Sequence, residues 1–208
     1  MEARTNQEWL ERIELIGGTP CLDFVNSVGD CIGPRPLDHL QSYADLLFWL
    51  QRCQLLPAAE AARLTALSRR SPRITADALR HAQHFRDAAW RLLAALVRDT
   101  APAPQDLADV NRVVERAYAH MQLEPQGAGF RLARRSETDL EQAVWPAARA
   151  LAEFLGSAEL GRLRMCADEA CGWLFVDRSR NGLRRWCSMR DCGNRAKVRE
   201  HYRRTHLQ

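Results

Sequence analysis

Apolar side chains recur every three or four residues along most of the chain between residues 42 and 156. This spacing is typical of helices with one buried face. The pattern is longest over residues 76–97, which we predict to form the central helix of a core. Shorter stretches predict further helices: one that begins after Ser42 and ends before Pro57, and others over residues 57–70, 105–120 and 137–156. Pro146 lies within the last of these and can kink it.

Two regions depart from the helical pattern. Residues 121–135 alternate between apolar and polar positions on either side of a turn at residues 125–129, which predicts a β-hairpin. Near the N-terminus, residues 13–16 are compatible with a short strand, whereas residues 21–28 fit the helical period better than strict alternation. Gly33-Pro34-Arg35-Pro36 is expected to end the element before it.

Four cysteines near the C-terminus form two close pairs, Cys166 with Cys171 and Cys187 with Cys192, and fifteen residues separate the pairs. Each short loop can bring two thiolates together, and a segment that folds back can join the pairs into a tetrahedral four-sulfur zinc site. Because four thiolates leave no open position for water, we predict one structural Zn²⁺. The alternatives are two disulfides or four unrelated thiols, but nothing else in the chain suggests an oxidising compartment.

The residues around these cysteines suggest a small fold that the metal holds together. Trp173–Asp177 and Arg184–Cys187 are predicted to pair as a hairpin, and a helix is predicted from Cys192 to about Arg204. A knuckle, a hairpin and a ligand in the first turn of a helix form a treble-clef-like arrangement. The predicted fold class is therefore mainly α (α+β). A helical N-terminal domain with a small β-hairpin element, residues 1–160, precedes a treble-clef-like four-cysteine zinc finger, residues 161–208.

The net charge divides the chain at the same place. From Arg162 to the C-terminus, eleven arginines and one lysine stand against five acidic residues, a net charge of +7. The whole chain carries +4, so residues 1–161 carry about −3. A basic module on a near-neutral or acidic body is typical of an anion-binding unit. The other cysteines, Cys21, Cys31 and Cys53, are expected to be buried or idle thiols in a reducing cytoplasm.

The chain resembles the CGNR zinc finger over about residues 163–204. That match rests on Cys166-x4-Cys171-x-Trp173-x-Phe175-x-Asp177, Arg185-Trp186-Cys187 and Cys192-Gly193-Asn194-Arg195. The N-terminal part resembles the ABATE-type domain that usually precedes this finger. Here the match rests on Gly17-Gly18, Leu22-Asp23-Phe24-Val25-Asn26-Ser27, Leu46…Trp49-Leu50 and Arg86-Asp87-Ala88, with Ser27 where Thr is expected. The resemblance implies a bacterial, stress-related transcription regulator with a DNA-binding finger.

We expect one basic surface on the finger to bind DNA phosphates. Arg195, Arg199 and Arg203 recur at four-residue spacing and so share a helix face. The predicted nucleic-acid-binding residues are Arg178, Arg180, Arg184, Arg185, Arg195, Lys197, Arg199, Arg203 and Arg204. Other interpretations stay open. The protein could bind RNA or the ribosome, the finger could be a protein-interaction module, or the arginines could be a solvated face that pairs with Asp177, Asp191 and Glu200.

Three polar residues of the N-terminal domain, Asp23, Asn26 and Arg86, are candidates to line a small-molecule effector pocket. The alternative is a buried Asp23–Arg86 pair, with Asn26 bonded to backbone. The domain could also mediate homodimerisation. The sequence has no phosphate-binding loop, nucleophile elbow or paired-carboxylate motif, so we predict no enzymatic activity. It also has no recognisable signal peptide and no apolar run of the about 18 residues that a membrane span needs, so a cytoplasmic protein is expected.

Overall fold

The computed structural model describes residues 6–29, 31–34, 36–135 and 139–206. These ranges are mainly helical, with three antiparallel pairs of short strands. The helices are α1 (Asn6–Arg12), α2 (Pro20–Val25), α3 (Tyr43–Arg52), α4 (Ala58–Ser68), α5 (Pro72–Val97), α6 (Pro104–Ala119), α7 (Trp145–Leu155) and α8 (Asn194–His206). The strands are β1 (Val28–Gly29), β2 (Leu37–Asp38), β3 (Met121–Gln126), β4 (Gly129–Arg134), β5 (Leu163–Met165) and β6 (Leu174–Val176). Among the described residues, no helix is long and apolar enough to cross a membrane.

The core surrounds α5, as the long apolar stripe predicts. Phe85, Ala89 and Leu93 are buried along one face of α5, and α2, α3 and α6 pack against this helix. Helix α3 begins with a capping box, in which Ser42 and Asp45 each accept a hydrogen bond from the other's backbone N–H. Most predicted helices therefore lie within a few residues of their expected bounds.

The predicted helix over residues 137–156 divides into two parts. Leu140–Val144 forms a short 3₁₀ turn, and α7 begins only at Trp145. Pro146 lies in the first turn of α7, where an α-helix leaves its backbone N–H groups unpaired, so the proline begins the helix rather than kinking it. The expected starting residue, Glu137, lies outside the described residues.

Of the two elements predicted in the N-terminal region, the structure confirms the helix but not the strand. Residues 20–25 form α2, as the helical spacing indicated. Residues 13–16 are not a strand and instead connect α1 to the turn before α2. Ile13 still packs in the core, so its apolar character reflects burial in a connection rather than strand pairing.

The hairpin predicted over residues 121–135 is confirmed by β3 and β4, but the strand pairing predicted inside the zinc finger is wrong. Strand β6 pairs with β5, which lies before the first cysteine, with Leu163 opposite Val176 and Met165 opposite Leu174. Residues 184–187 have no strand. The β5–β6 pairing places Leu163, Leu174 and Val176 in the main core. Pairing of β6 with the arginine-rich residues 184–187 could not bury an equivalent apolar surface.

The core therefore extends past residue 160. Leu174 is fully buried among residues of the helical body, and the backbone N–H of Val176 donates to the carbonyl of Gly17 at 2.9 Å. Strand β5 packs against α5, and β6 packs against α2. The division of the chain at residue 160 remains a prediction, and any such boundary crosses a shared hydrophobic core.

Candidate metal centre and basic surface

The four cysteines predicted to bind zinc converge at one point. Their four Sγ atoms lie within 4.8 Å of one another, and all four residues are buried. The Sγ atoms of Cys171 and Cys187 are 3.6 Å apart, and those of Cys187 and Cys192 are 3.5 Å apart. A tetrahedral site with Zn–S bonds of about 2.3 Å has sulfur–sulfur edges of about 3.8 Å, whereas a disulfide needs about 2.05 Å. The residues therefore fit a closed, structural Zn²⁺ site.

The two pairs of ligands come from different kinds of structure. Cys166 and Cys171 lie in the loop that joins β5 to β6, so the hairpin presents them at its tip. Cys187 precedes, and Cys192 lies within, a wide helical turn at Met189–Gly193 that leads directly into α8. Asn194 braces this turn, because its side-chain amide donates to the carbonyl of Arg190 at 2.9 Å. The backbone N–H of Cys187 points at the Cys166 sulfur at 3.4 Å, which favours a thiolate there.

The first cysteine loop is held by the helical body. The backbone N–H groups of Cys31 and Ile32 donate to the carbonyls of Cys171 and Ala170, at 2.9 and 3.1 Å. From α5, the indole N–H of Trp90 donates to the carbonyl of Gly172 at 3.0 Å. Gly172 has a φ of +68°, and a Cβ there would lie only 2.9 Å from a side-chain carbon of Ile32. Because of both the backbone angle and the close approach, glycine is strongly favoured at this position.

Asn26 binds the strand that carries this loop. Its amide nitrogen donates to the carbonyl of Leu174 at 2.8 Å, and its amide oxygen accepts the backbone N–H of the same residue at 2.9 Å. Asn26 thus acts as a strand partner for β6 inside the core. Sequence reasoning considered a backbone bond for Asn26, but it could not identify a partner 148 residues away.

Asp23 and Arg86 do not converge on a common pocket with Asn26. The Asp23 carboxylate accepts the backbone N–H of Gly17 at 2.8 Å, and burial raises the pKa of Asp23. Arg86 is buried and pairs with Asp38 through two bonds, at 2.8 and 2.9 Å, and with Asp87. Arg86 borders a cavity of about 310 Å³, which Trp90 also lines, whereas Asp23 borders a different one. An effector pocket formed by all three residues stays a prediction, and this geometry does not favour it.

Two aromatic residues lie beside the zinc ligands. Trp173 and Trp186 are half-buried and both pack against the cysteine cluster. Trp173 also contacts the main core, and its indole N–H donates to the carbonyl of Val28 at 2.6 Å. Trp173 therefore covers the site from the body side. Trp186 has the Arg185 guanidinium over its ring, at 4.9 Å from the ring centre.

Two acidic residues of the first cysteine loop pair with the arginine face of α8. Asp168, whose side chain is completely buried, accepts from Arg199 at 2.8 Å and lies 3.3 Å from the Arg195 guanidinium. The exposed Glu169 pairs with Arg203 at 2.7 Å. Sequence reasoning missed both acids as partners, although their position inside the cysteine loop was visible. These pairs dock α8 on the knuckle, so much of the predicted basic face is neutralised from within the finger.

The remaining predicted cations differ in what they contact. Arg184 donates to the carbonyls of Trp186 and Cys187 and stacks on Phe175, so its role is structural. Exposed ion pairs join Arg178 to Glu159 and Arg204 to Glu200. Of the nine predicted cations, three are exposed and have no acidic partner within the described ranges: Arg180, Arg185 and Lys197.

Several of these side chains line one groove. It runs between the segment after the 179–182 turn and α8, and it is lined by Arg185, Trp186, Lys197, His201 and Arg204, among others. Glu169 and Glu200 line the groove as well. The groove offers cations beside a partly exposed indole ring, an arrangement that suits an anionic, ring-containing ligand.

Two of the cysteines outside the quartet have raised pKa values. Burial raises the pKa of the Cys21 thiol to about 11, and it raises the pKa of the Cys53 thiol further. Both are therefore protonated at neutral pH, and metals bind the thiolate form. Among the described residues, the metal-binding cluster comprises only the four C-terminal cysteines.

Comparison with known families gives two matches along the chain. Residues 18–158 match the ABATE family, described as "Putative stress-induced transcription regulator". Residues 162–205 match the CGNR zinc finger. Among curated proteins, none matches the chain. The two descriptions are of a regulator and a zinc finger, and both agree with the resemblance found in the sequence.

Proposed function

The chain belongs to the ABATE family and ends in a CGNR zinc finger, and from this premise we propose that it is a cytoplasmic bacterial regulator that binds duplex DNA through the finger. The observation that supports DNA binding most directly is the exposure of α8. None of its residues with a described side chain is buried, although the helix is docked at one end by the zinc site.

The shape of α8 favours duplex DNA over duplex RNA. A helix of 13 residues is about 20 Å long, and the major groove of B-DNA is wide enough to admit an α-helix. The major groove of A-form RNA is too narrow for side chains to read. An exposed basic helix on a rigid zinc support therefore has a natural docking site on DNA.

The partners of the nine predicted cations separate them into three groups. Arg180, Arg185 and Lys197 have no acidic partner in the described ranges and are ready to bind phosphates. Arg178, Arg203 and Arg204 are in exposed ion pairs. Such pairs contribute only about 0–1 kcal/mol, so these arginines can exchange a carboxylate for a phosphate at little cost. The third group, Arg184, Arg195 and Arg199, supports the finger's own structure.

A salt titration of the full-length, zinc-loaded protein tests this proposal. We would measure binding to labelled duplex DNA by fluorescence anisotropy for the wild type and for the double variant Arg185→Ala/Lys197→Ala. If both side chains contact phosphates, the variant binds more weakly and the slope of log K against log [salt] falls by about two. Zinc content, measured in parallel, should be unchanged.

The matched control is Arg69→Ala/Arg70→Ala, which removes two exposed arginines from the helical body and changes the net charge equally. We expect the control to bind DNA as the wild type does. Equal binding by all three proteins would refute the assignment of the groove. Competition with structured RNA and with an acidic protein would test the two alternatives. If the protein prefers either competitor, that competitor rather than DNA represents its partner.

A further inference from the structure

The β3–β4 hairpin exposes large apolar side chains beyond its base. A hairpin that packs on a helical body normally turns its apolar side towards the core and its polar side towards water. Here the exposed fractions of Leu123, Phe130 and Leu132 are 69%, 73% and 56%. Ala133 on the other side is buried, and its strand partner Gln122 is half-buried. The apolar side of this hairpin therefore faces solvent.

The strand register places the exposed apolar residues on one face. Leu123 lies opposite Leu132, and Pro125 lies opposite Phe130. Because directly opposed residues of antiparallel strands share a face, these four residues form one continuous surface, which we call the hairpin face. None of them is charged. The ion pair between Glu124 and Arg131 lies on the opposite side of the hairpin.

Several polar contacts hold the base of the hairpin on the helical body. Arg134 pairs with Glu60 on α4 and donates to the carbonyl of Gln142 at 3.1 Å. The backbone N–H of Arg135 donates to the carbonyl of His120 at 2.9 Å. Arg134 lies opposite Met121, on the same side of the hairpin as the hairpin face, and both residues contact the body. The base of the hairpin is therefore fixed on the body, and the hairpin face lies beyond that base.

From these observations we propose that the hairpin face is covered by the same face of a second copy of the chain. Three large side chains with this exposure present roughly 400 Å² of apolar surface, a patch size that commonly marks an interaction site. Two identical patches would bury roughly 800 Å² in total, which lies below the roughly 1,000 Å² of a stable, specific interface. The dimer would therefore be weak.

The chemistry of the hairpin face favours a second copy over other partners. The four residues offer no charge and no side-chain hydrogen-bond donor or acceptor, so an acidic protein or a nucleic acid gains nothing there. An identical uncharged surface is self-complementary, and most homo-oligomers pair equal surfaces about a two-fold axis. The inference does not rest on DNA binding, because the hairpin lies in the ABATE region and is formed by other residues.

Sedimentation velocity of the full-length, zinc-loaded protein tests the dimer across concentrations from about 1 to 100 µM. We expect the wild type to shift from monomer towards dimer within this range, and Leu123→Asp/Phe130→Asp to weaken the dimer at least tenfold. The matched control is Ile74→Asp/Leu183→Asp, which makes the same changes at apolar residues that are 56% and 75% exposed elsewhere. The control should dimerise as the wild type does.

A wild type that stays monomeric over the whole range would overturn the proposal, and so would a hairpin variant that dimerises like the wild type. Photo-crosslinking supplies a second measurement that needs no destabilising change. With p-benzoylphenylalanine at position 130, we expect crosslinks to residues 121–134 of the second copy. Crosslinks only to other regions, or only to a different protein in cell extracts, would contradict the two-fold contact.

Discussion

The two halves of the zinc finger differ sharply in what surrounds them. Strands β5 and β6 place Leu163, Leu174 and Val176 in the main core, and the loop between them is bonded to the helical body at several points. Helix α8, which follows the second cysteine pair, has no buried residue among its described side chains. One half of the finger is thus an extension of the body, whereas the other is an exposed arm.

This difference gives the metal a specific role. The exposed arm has almost no apolar surface with which to pack, so the hydrophobic effect cannot hold it in place. Its attachments include the zinc ligands Cys187 and Cys192 and the ion pairs that α8 makes with Asp168 and Glu169. The metal therefore joins the exposed arm to a strand pair that already packs in the core of the helical body.

The largest effect is expected from cutting the chain on either side of the shared hairpin. A fragment of residues 1–160 loses Leu163, Leu174 and Val176 from the core. Loss of one large buried side chain costs about 2–5 kcal/mol, and a domain has only about 5–15 kcal/mol of stability. We expect this fragment to be unfolded by circular dichroism.

A fragment of residues 1–177 is the matched control for that cut, because it keeps β5 and β6 and omits the second cysteine pair and the exposed arm. It should retain a cooperative thermal transition. If residues 1–160 fold as stably as residues 1–177, the predicted boundary at residue 160 holds, and the packing of the hairpin contributes little to the body.

Removal of the metal should separate the two halves within the intact chain. In small zinc modules, the metal supplies about 10–16 kcal/mol of apparent binding free energy, so Cys187→Ser or a strong chelator should release the arm. In hydrogen exchange, we expect residues 178–206 to lose protection while β6 keeps it. Loss of protection in β6 to the same extent as in α8 would show instead that the chain from about residue 164 onward depends on the metal.

Local patterns predicted most of the fold, because helical spacing, a capping box and cysteine spacing are all short-range signals. The helices around α5, the β3–β4 hairpin and the four-cysteine cluster all lie where those signals place them. The strand pairing inside the zinc finger could not be predicted from such local signals. The sequence analysis paired this segment with residues 184–187, whereas its pairing with β5 depends on a core that only the folded helices create.

The hydrogen-bond partners of the buried polar residues could not be predicted from local patterns either. Asp23, Asn26 and Arg86 were recognised as polar residues within apolar or helical surroundings, which suits a pocket as well as a structural bond. Their partners are Gly17, Leu174 and Asp38, at distances along the chain of 6, 148 and 48 residues. No local pattern can distinguish such a long-range bond from a vacant ligand site. Asp168 was overlooked because its partners lie on α8, about 30 residues further along the chain.

Asn26 tests the bond between body and finger without changing the metal ligands. The substitution Asn26→Ala leaves the buried N–H and carbonyl of Leu174 without their side-chain partner, and each such group costs about 1–3 kcal/mol. We expect a loss of about 2–5 kcal/mol in the free energy of unfolding by urea titration. Asn194→Ala removes one exposed amide bond in the arm and should cost less than about 1 kcal/mol. Equal costs for the two variants would show that the Asn26 bonds do not hold β6.

Asp168 tests how the arm is docked on the knuckle. The substitution Asp168→Asn removes the buried negative charge that Arg195 and Arg199 share, and hydrogen bonds to charged groups are worth about 1.5–3 kcal/mol. We expect faster hydrogen exchange in α8 and little change in the helical body. Glu169→Gln is the control on the exposed neighbour and should leave exchange in α8 nearly unchanged. If the two variants behave alike, burial of Asp168 does not strengthen its ion pairs.

The smallest stability effect is expected at Arg203. Its partner Glu169 is 60% exposed and Arg203 itself is 59% exposed, so water screens the pair and it contributes at most about 1 kcal/mol. Arg203→Ala should therefore leave the unfolding midpoint nearly unchanged. If Arg203 exchanges Glu169 for a phosphate, the same substitution should still lower the salt slope of DNA binding by about one. Arg199→Ala provides the contrast, because Arg199 pairs with the fully buried Asp168 and its loss should disturb α8 even without DNA. A salt slope that is unchanged in Arg203→Ala would leave this arginine as a surface partner of Glu169 alone, and the cations that contact DNA would then be those without acidic partners.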